Sequence, residues 1–198
     1  MNKTAILAAT LLASALTGCT TPVGPVEVNR FYRPELTAAT RGAVSILPAQ
    51  GNSGDSLEFR SFAAAVGQEL GKLGYSEAAG GNTVAVVDVQ RQTYRGERER
   101  GPVSIGIGGS TGGGWHSGVG VGLGLGFNLG GGPKEQVETR LSVTIRDRTT
   151  GQSLWEGRAR YVVPAGSPAA DNQLGAAKMA QALFQGFPGK SGETILVK

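Results

Sequence analysis

The chain has 198 residues, of which 33 are glycine and only 17% are charged. This composition excludes a coiled coil and an acidic disordered tail, since both need many more charges. The glycines follow no three-residue period, which excludes a collagen-like helix. The formal net charge of +4 is weak for a nucleic-acid-binding protein of this size. The length predicts one domain with an appendage.

Residues 1–18 have the pattern of a lipoprotein signal peptide. Lys3 provides a short positive segment, and residues 5–16 form an uncharged, mostly apolar run. The run is too short to span a bilayer as a stable helix but suits the apolar region of a leader. It ends in Leu16-Thr17-Gly18-Cys19, which resembles the bacterial lipobox. The resemblance implies cleavage before Cys19 and acylation of its thiol and amine. The alternative is an ordinary secretory signal followed by a chance cysteine.

Cys19 is the only cysteine of the chain, so its acylation would leave no thiol for a disulfide, a metal site or a nucleophile. Residues 19–26 then form the lipidated cysteine and a short tether rich in proline, glycine and small residues. Thr20, and not aspartate, follows the cysteine. By the known sorting behaviour of two-membrane bacteria, this predicts an outer-membrane lipoprotein whose domain, residues 27–198, faces the periplasm.

The first half of the domain contains two predicted strands and a helix. Residues 42–48 form a short apolar run that ends in proline, and residues 26–32 form a second extended segment. Residues 55–73 are predicted to be a helix that Asp55 caps, with Glu58 three residues on and Gly74 at its end. Its apolar face consists of Phe59, Phe62, Val66, Leu70 and Leu73.

Three further strands and a second helix follow. Residues 83–94 form a β-branched strand, with Val84, Val86 and Asp88 on one face and Val87 and Val89 on the other. Residues 137–147 alternate, with Val137, Leu141, Val143 and Ile145 on one side and Glu138, Arg140, Thr144 and Arg146 on the other. A turn at 147–151 leads to a returning strand at 154–163, in which Trp155, Ala159 and Tyr161 lie on the same face.

Residues 171–187 form a second predicted helix with an apolar stripe of Ala176, Met179, Ala180, Leu183 and Phe187, and residues 193–197 form a last strand. This order predicts an α+β domain. We expect a two-layer sandwich with a mostly antiparallel sheet, two helices on one face and a long glycine-rich insertion or hairpin.

Four motifs follow one another along the chain: the lipobox, the helix end Leu70-Gly71-Lys72-Leu73-Gly74-Tyr75, the hairpin Asp147…Leu154-Trp155-Glu156-Gly157, and Phe184-Gln185-Gly186-Phe187-Pro188. In this order they resemble the domain-of-unknown-function 4136 family of small bacterial lipoproteins. The likeness covers roughly residues 27–189. One departure is Asn82, which opens a strand where the family usually has aspartate, while Asp88 lies inside that strand. The resemblance implies a location and a fold, and the family has no established activity.

The insertion at 101–133 carries 15 glycines and no charged residue between positions 101 and 132. From Val119 to Leu129 apolar side chains alternate with small ones. Glycine at every second position makes a helix costly, but a strand would place every large side chain on one face. The bracketing charges of mixed sign, such as Arg95 and Glu135, suit the base of a solvated hairpin.

Three hypotheses for this segment remain open. The first is a low-complexity loop between two strands. The second is an amphiphilic hairpin over 103–131, which several copies of the chain would insert into the membrane as a closed barrel. The third is a strand edge used for association with a partner. The expected partner or membrane contacts are Trp115, Val119, Val121, Leu123, Leu125, Phe127 and Leu129.

The sequence offers little for catalysis. His116, the only histidine, lies in the glycine-rich segment, so no packed Ser-His-Asp arrangement or histidine metal site is expected. Gly189-Lys190-Ser191 imitates the end of a phosphate loop, but Phe184 stands where the loop needs its first glycine. We therefore expect no catalytic residue, no metal and no cofactor.

Trp155, Tyr161 and Tyr94 are read either as packing residues or as the lining of a binding surface. The sequence predicts a non-catalytic binding or scaffold module of the cell envelope. Its expected partners are the membrane, through the anchor, and an envelope protein or cell-wall component. No nucleic-acid partner is expected, and the oligomeric state is left open.

Overall fold

The computed structural model describes residues 24–34, 36, 41–95 and 135–198. Within these ranges seven strands form one sheet in the order β3-β2-β4-β5-β6-β1-β7. The strands are β1 Val26–Tyr32, β2 Ala43–Pro48, β3 Ser76–Glu77, β4 Thr83–Arg95, β5 Glu135–Asp147, β6 Ser153–Pro164 and β7 Thr194–Val197, and the helices are α1 Leu57–Lys72 and α2 Asn172–Phe184. The predicted leader at 1–18 and the insertion at 101–133 lie outside the described residues.

The sheet is mostly antiparallel, as predicted. Only β2 pairs in parallel, with β3 and with β4, because the chain crosses over through α1 between β2 and β4. All other neighbouring strands are antiparallel. Both helices pack on the same face of the sheet, which confirms an α+β sandwich of two layers.

Helix α1 has the predicted apolar face. Phe59, Phe62, Val66 and Leu70 are buried against the sheet, whereas Leu73 is half-buried. The cap differs from the prediction. Ser56, and not Asp55, caps the helix, and its side chain accepts a hydrogen bond of 3.1 Å from the backbone N–H of Phe59. Serine and aspartate are equally good caps, so the sequence alone left the choice between neighbours open.

The predicted hairpin consists of β5 and β6. The Asp147 carboxylate accepts hydrogen bonds from the backbone N–H and the hydroxyl of Thr150, at 2.8 and 3.0 Å. These bonds hold the pKa of Asp147 below its usual range. Gly151 closes the turn with a φ of +71°. The predicted alternation is confirmed, because Leu141, Val143 and Ile145 lie in the core.

Helix α2 starts one residue later and ends three residues earlier than predicted. The Asp171 side chain caps it by accepting from the backbone N–H groups of Gln173 and Leu174. At the other end Gly186 adopts a φ of +68°, a conformation that a helix cannot contain. The residues after the helix fold back onto the sheet and bring Phe187 against the core.

Trp155 organises this helix end. Its indole ring stacks on Phe184, with 5.1 Å between the ring centroids, and lies 5.3 Å from the centroid of Phe187. Its Nε1–H donates a hydrogen bond of 3.1 Å to the carbonyl of Pro188. On the same strand, Gly157 leaves room for the ring, since a Cβ at that position would lie 2.2 Å from the Cη2 atom of Trp155.

A buried arginine joins β1 to the C-terminal end of α2. Arg30 is 4% exposed, and its Nη2 donates a hydrogen bond of 2.8 Å to the carbonyl oxygen of Ala182. A cation is favourable there because the last carbonyls of a helix carry partial negative charge. Burial lowers the pKa of the Arg30 guanidinium, and the carboxylate of Glu193 opposes this shift.

The domain has two distinct ends. At one end, which we call the hairpin end, β4 finishes at Arg95 and β5 begins at Glu135; these two residues pair across the ladder. At the opposite end, which we call the turn end, lies the β5–β6 turn at 147–151. Strand β6 runs from the turn end toward the hairpin end. Strand β1 is antiparallel to β6, so β1 begins on the hairpin-end side and runs toward the turn end.

Candidate binding surface

The face of the sheet turned away from the helices has no packing layer among the described residues. We call it the open face. Its side chains include charged, polar and apolar types, and their positions follow from strand alternation and ladder register. They are Glu27, Asn29, Phe31, Ser45, Leu47, Val84, Val86, Asp88, Gln90, Glu138, Arg140, Ser142, Thr144, Glu156, Arg158, Arg160 and Val162.

A carboxylate between two guanidinium groups occupies the middle of the open face. Arg140 on β5 and Arg160 on β6 lie directly opposite each other in the ladder. Two like charges at such a position repel each other and destabilise the pairing. Glu138 relieves this repulsion. Its Oε2 lies 2.8 Å from Nη2 of Arg160, and its Oε1 lies 2.6 Å from Nη2 of Arg140.

The cluster fixes the charge of its carboxylate. The Glu138 side chain is only 5% exposed, although it lies on the face that no helix covers. The hydrogen bond from Arg160 holds the pKa of Glu138 below its usual range, helped by the charge of Arg140, while burial opposes the shift. The same hydrogen bond raises the pKa of Arg160. Both groups are therefore ionised near neutral pH.

Around this cluster the open face carries both signs of charge and neutral polar groups. Arg158 lies 3.5 Å from the carboxylate of Glu156, and Arg160 lies 3.9 Å from that of Glu27. Two apolar side chains, Phe31 and Leu47, are each 43% exposed. The face therefore offers hydrogen-bond donors, acceptors and apolar patches, which suits a polar macromolecule better than a strongly charged one.

The two aromatic residues considered for a binding surface belong to the core. Trp155 and Tyr161 are each 1% exposed. Burial raises the pKa of the Tyr161 hydroxyl, and the Lys178 ammonium lies 5.6 Å from the centroid of its ring. Tyr94 is 38% exposed near the end of β4, and its hydroxyl donates a hydrogen bond of 3.2 Å to the Gln136 side chain.

The predicted contact residues of the glycine-rich segment lie outside the described residues, as does the lipidation site Cys19. These contact residues are Trp115, Val119, Val121, Leu123, Leu125, Phe127 and Leu129. The described edge of that segment agrees with a solvated hairpin base. Arg95 Nε and Glu135 Oε1 are 3.9 Å apart, and both side chains are largely exposed.

The sequence did not identify the Glu138 cluster. Alternation had assigned Glu138 and Arg140 to the polar side of their strand, which is where they lie. Their partner Arg160 depends on the β5–β6 register, which a bulge shifts between Ile145 and Arg146. Such a bulge inserts one residue without a clear sequence signal.

Among the described residues, no three histidine, cysteine, aspartate or glutamate side chains are grouped closely enough to hold a metal ion. Within the same part of the chain, every helix is too short or too polar to cross a membrane.

Comparison with known proteins gives a family match, a protein of similar sequence and some likeness to solved structures. A family model described as a domain of unknown function (DUF4136) matches residues 30–189. An uncharacterized protein of Zymomonas mobilis subsp. mobilis is 30% identical over 215 residues, covering 88% of this chain and 80% of that protein.

Among solved structures, a PelC dodecamer from Paraburkholderia phytofirmans has a TM-score of 0.42 at 12% identity, covering 80% of this chain and 96% of that one. A PDZ domain protein from Parabacteroides distasonis has a TM-score of 0.46 at 11% identity, covering 96% of this chain and 42% of that one.

Proposed function

The chain belongs to the DUF4136 family of domains of unknown function, and we propose that it is an outer-membrane lipoprotein. Its periplasmic α+β domain would be a non-catalytic binding or scaffold module of the cell envelope. The mechanism is tethering: acyl chains on Cys19 hold the domain beside one membrane and raise the effective concentration of its partners there.

One observation carries the proposal. The lipobox cysteine stands only seven positions before Val26, the first residue of a strand inside the sheet. Seven residues reach at most about 25 Å when fully extended. Acylation at Cys19 would therefore hold the folded domain close to the bilayer. Two or three acyl chains anchor firmly, since each buried CH₂ contributes about 0.8 kcal/mol.

The open face supports the binding part of the proposal. Neither described helix covers it, and its exposed arginine and glutamine side chains project from the sheet. Rigid polar surfaces bind with little loss of conformational entropy. An envelope protein or a cell-wall glycan has the mixed polar chemistry that this face complements.

Two carboxyl groups of the domain lack the property that a general acid needs. A general acid near neutral pH needs a carboxyl group whose pKa is raised. The pKa values of Glu138 and Asp147 are both displaced downward, by hydrogen bonds from Arg160 and Thr150. These two carboxylates act as fixed negative charges.

The alternative is an oligomeric envelope assembly that inserts residues 103–131 into the membrane. One observation favours it. Strands β4 and β5 pair antiparallel along their whole length up to Arg95 and Glu135, so the intervening chain leaves and re-enters the sheet on adjacent strands. A continued hairpin needs this arrangement, and a closed barrel of several hairpins leaves no strand edge unpaired.

The test compares the full chain with a version in which a cleaved secretory leader replaces residues 1–19. Both are expressed in a two-membrane bacterium, and the outer membrane is separated on a density gradient. Mass spectrometry of the full chain measures the acyl groups on Cys19. Sedimentation measures the size of the version without the lipobox.

We expect diacylated or triacylated Cys19, an outer-membrane location for the full chain, and a soluble monomer once the lipobox is removed. An unacylated chain that keeps its leader would overturn the tethering proposal. A version without Cys19 that remains inserted in the membrane as an oligomer would favour the alternative.

A further inference from the structure

Several chain segments converge on the hairpin end of the domain. The tether enters there, at Val26, and β4 and β5 end and begin there. The connection from β2 to α1 and the connection from β6 to α2 also lie on this side, because both strands run toward it. Helices α1 and α2 therefore both start at the hairpin end.

A single guanidinium group holds the two helix starts together. Nη1 of Arg91 lies 3.8 Å from the carboxylate of Glu58 in the first turn of α1. The same guanidinium donates hydrogen bonds to the side-chain oxygen of Asn172, the first residue of α2, and to the carbonyl of Ala170. Because these contacts share one side chain, the first turns of both helices are neighbours.

Each helix start carries a leucine that faces solvent. Leu57, the first residue of α1, is 78% exposed, and Leu174, in the first turn of α2, is 58% exposed. Tyr94, 38% exposed, lies on β4 near the same end. Single exposed apolar residues need no explanation, but a grouping of them at one end indicates a contact with an apolar phase or a partner.

The position of the tether determines which end of the domain lies against the bilayer. Cys19 is at most about 25 Å along the chain from Val26. The 16 residues of α1 rise about 1.5 Å each, so the turn end lies roughly 24 Å farther from the anchor than the hairpin end. An acylated Cys19 therefore brings the hairpin end, and not the turn end, to the lipid headgroups.

We propose that the hairpin end rests on the phospholipid surface, with Leu57 and Leu174 entering the boundary between headgroups and acyl chains. Tyr94 would lie at headgroup level, where amphipathic aromatic rings are enriched. This inference rests on the proposed function, because the acyl anchor decides which end meets the bilayer. It adds a fixed orientation, in which the open face stands upright on the membrane.

The experiment uses the full lipidated chain in vesicles of phosphatidylethanolamine and phosphatidylglycerol. An environment-sensitive fluorophore is attached to a single introduced cysteine, since acylation blocks Cys19. The test positions are Leu57→Cys and Leu174→Cys. The controls are Thr149→Cys at the turn end and Leu47→Cys, an exposed leucine (43%) on the open face that pairs with Val86 toward the turn end. A lipid-borne nitroxide measures contact with the bilayer by quenching.

We expect a shift of emission to shorter wavelength and loss of fluorescence at 57 and 174, with little of either at 149 and 47. Equal quenching at 57 and 149, or quenching at 47 as strong as at 57, would overturn the orientation. Flotation with the vesicles separates the two proposals. If the full chain floats and the version without residues 1–19 does not, tethering stands whatever the fluorophores report. If the full chain does not float, the proposed function itself fails.

Discussion

Gly157 shows how one residue in β6 sets the packing of the helix layer. The Trp155 ring lies over it, and a Cβ would also stand 2.8 Å from Cδ1 of Leu183. The ring cannot move cheaply, because Phe184 and Phe187 flank it. Glycine in a strand is otherwise unfavourable, so the close approach of the indole accounts for its presence.

We predict that Gly157→Ala destabilises the domain by about 1–3 kcal/mol, the usual result of overpacking a core. Gly166→Ala is the matched control, because a Cβ there would meet nothing within 4 Å and its φ is not in the left-handed region. Urea denaturation followed by tryptophan fluorescence measures both. Equal stability changes for the two variants would contradict this account.

Glu138 makes stability depend on pH. Its folded pKa is lowered by Arg160 and Arg140, so its contribution is present above the pKa of an unfolded glutamate and is lost as pH falls through the folded pKa. We predict that Glu138→Gln costs about 1–3 kcal/mol at neutral pH, because one charge-assisted hydrogen bond and one close ion pair are lost.

The measurement is the difference in unfolding free energy between the original chain and Glu138→Gln across an acid titration. That difference in unfolding free energy should become smaller at pH values below the ordinary pKa range of glutamate. Asp147 also has a lowered pKa, but it is present in both proteins and cancels. A difference that stays constant down to strongly acid pH would show that the cluster contributes packing and not charge.

At the scale of elements, the caps decide where helices begin. We predict that Ser56→Ala destabilises the domain by about 1 kcal/mol, because the backbone N–H of Phe59 loses its acceptor. Asp55→Ala, one residue earlier and exposed, should change stability much less. Urea midpoints for the two variants test the assignment of the cap, and a larger effect at Asp55 would reverse it.

Much of the element layout follows from the sequence, because burial on one face imposes periodicity. The alternation of β5 and the three- and four-residue steps of α1 predicted their buried residues. The two-residue strand β3 was missed, since a strand so short has no period to detect. The 3₁₀ turn Pro168–Ala170 was missed for the same reason.

Other features depend on contacts between residues far apart in the chain. The alternating pattern did not reveal that Arg30 lies in the core, because its acceptor, the Ala182 carbonyl, belongs to a helix more than a hundred residues later. The Glu138 cluster depends in the same way on a register that a bulge displaces. The burial of Arg30 and the contacts of Glu138 both depend on position in the sheet and not on residue type.

At the scale of the whole molecule, the sheet should be most stable in its middle. Strands β4, β5 and β6 are paired on both sides and contain fully buried residues such as Val87, Val143 and Ile145. Strands β3 and β7 are short and lie at the edges. We predict slowest backbone hydrogen exchange in β4–β6, intermediate rates in β1, and fastest exchange in β3 and β7. Mass spectrometry of peptides measures this, and protection of β7 equal to that of β5 would contradict it.

The place of β1 has a mechanical consequence. The strand that follows the tether is not at an edge but lies between β6 and β7, antiparallel to both. A pulling force on the chain before Val26 acts along the axis of this strand. The hydrogen bonds to β6 and β7 would then be loaded together in shear and not broken one at a time. A domain held by an acylated Cys19 would thus resist being peeled apart when the envelope stretches.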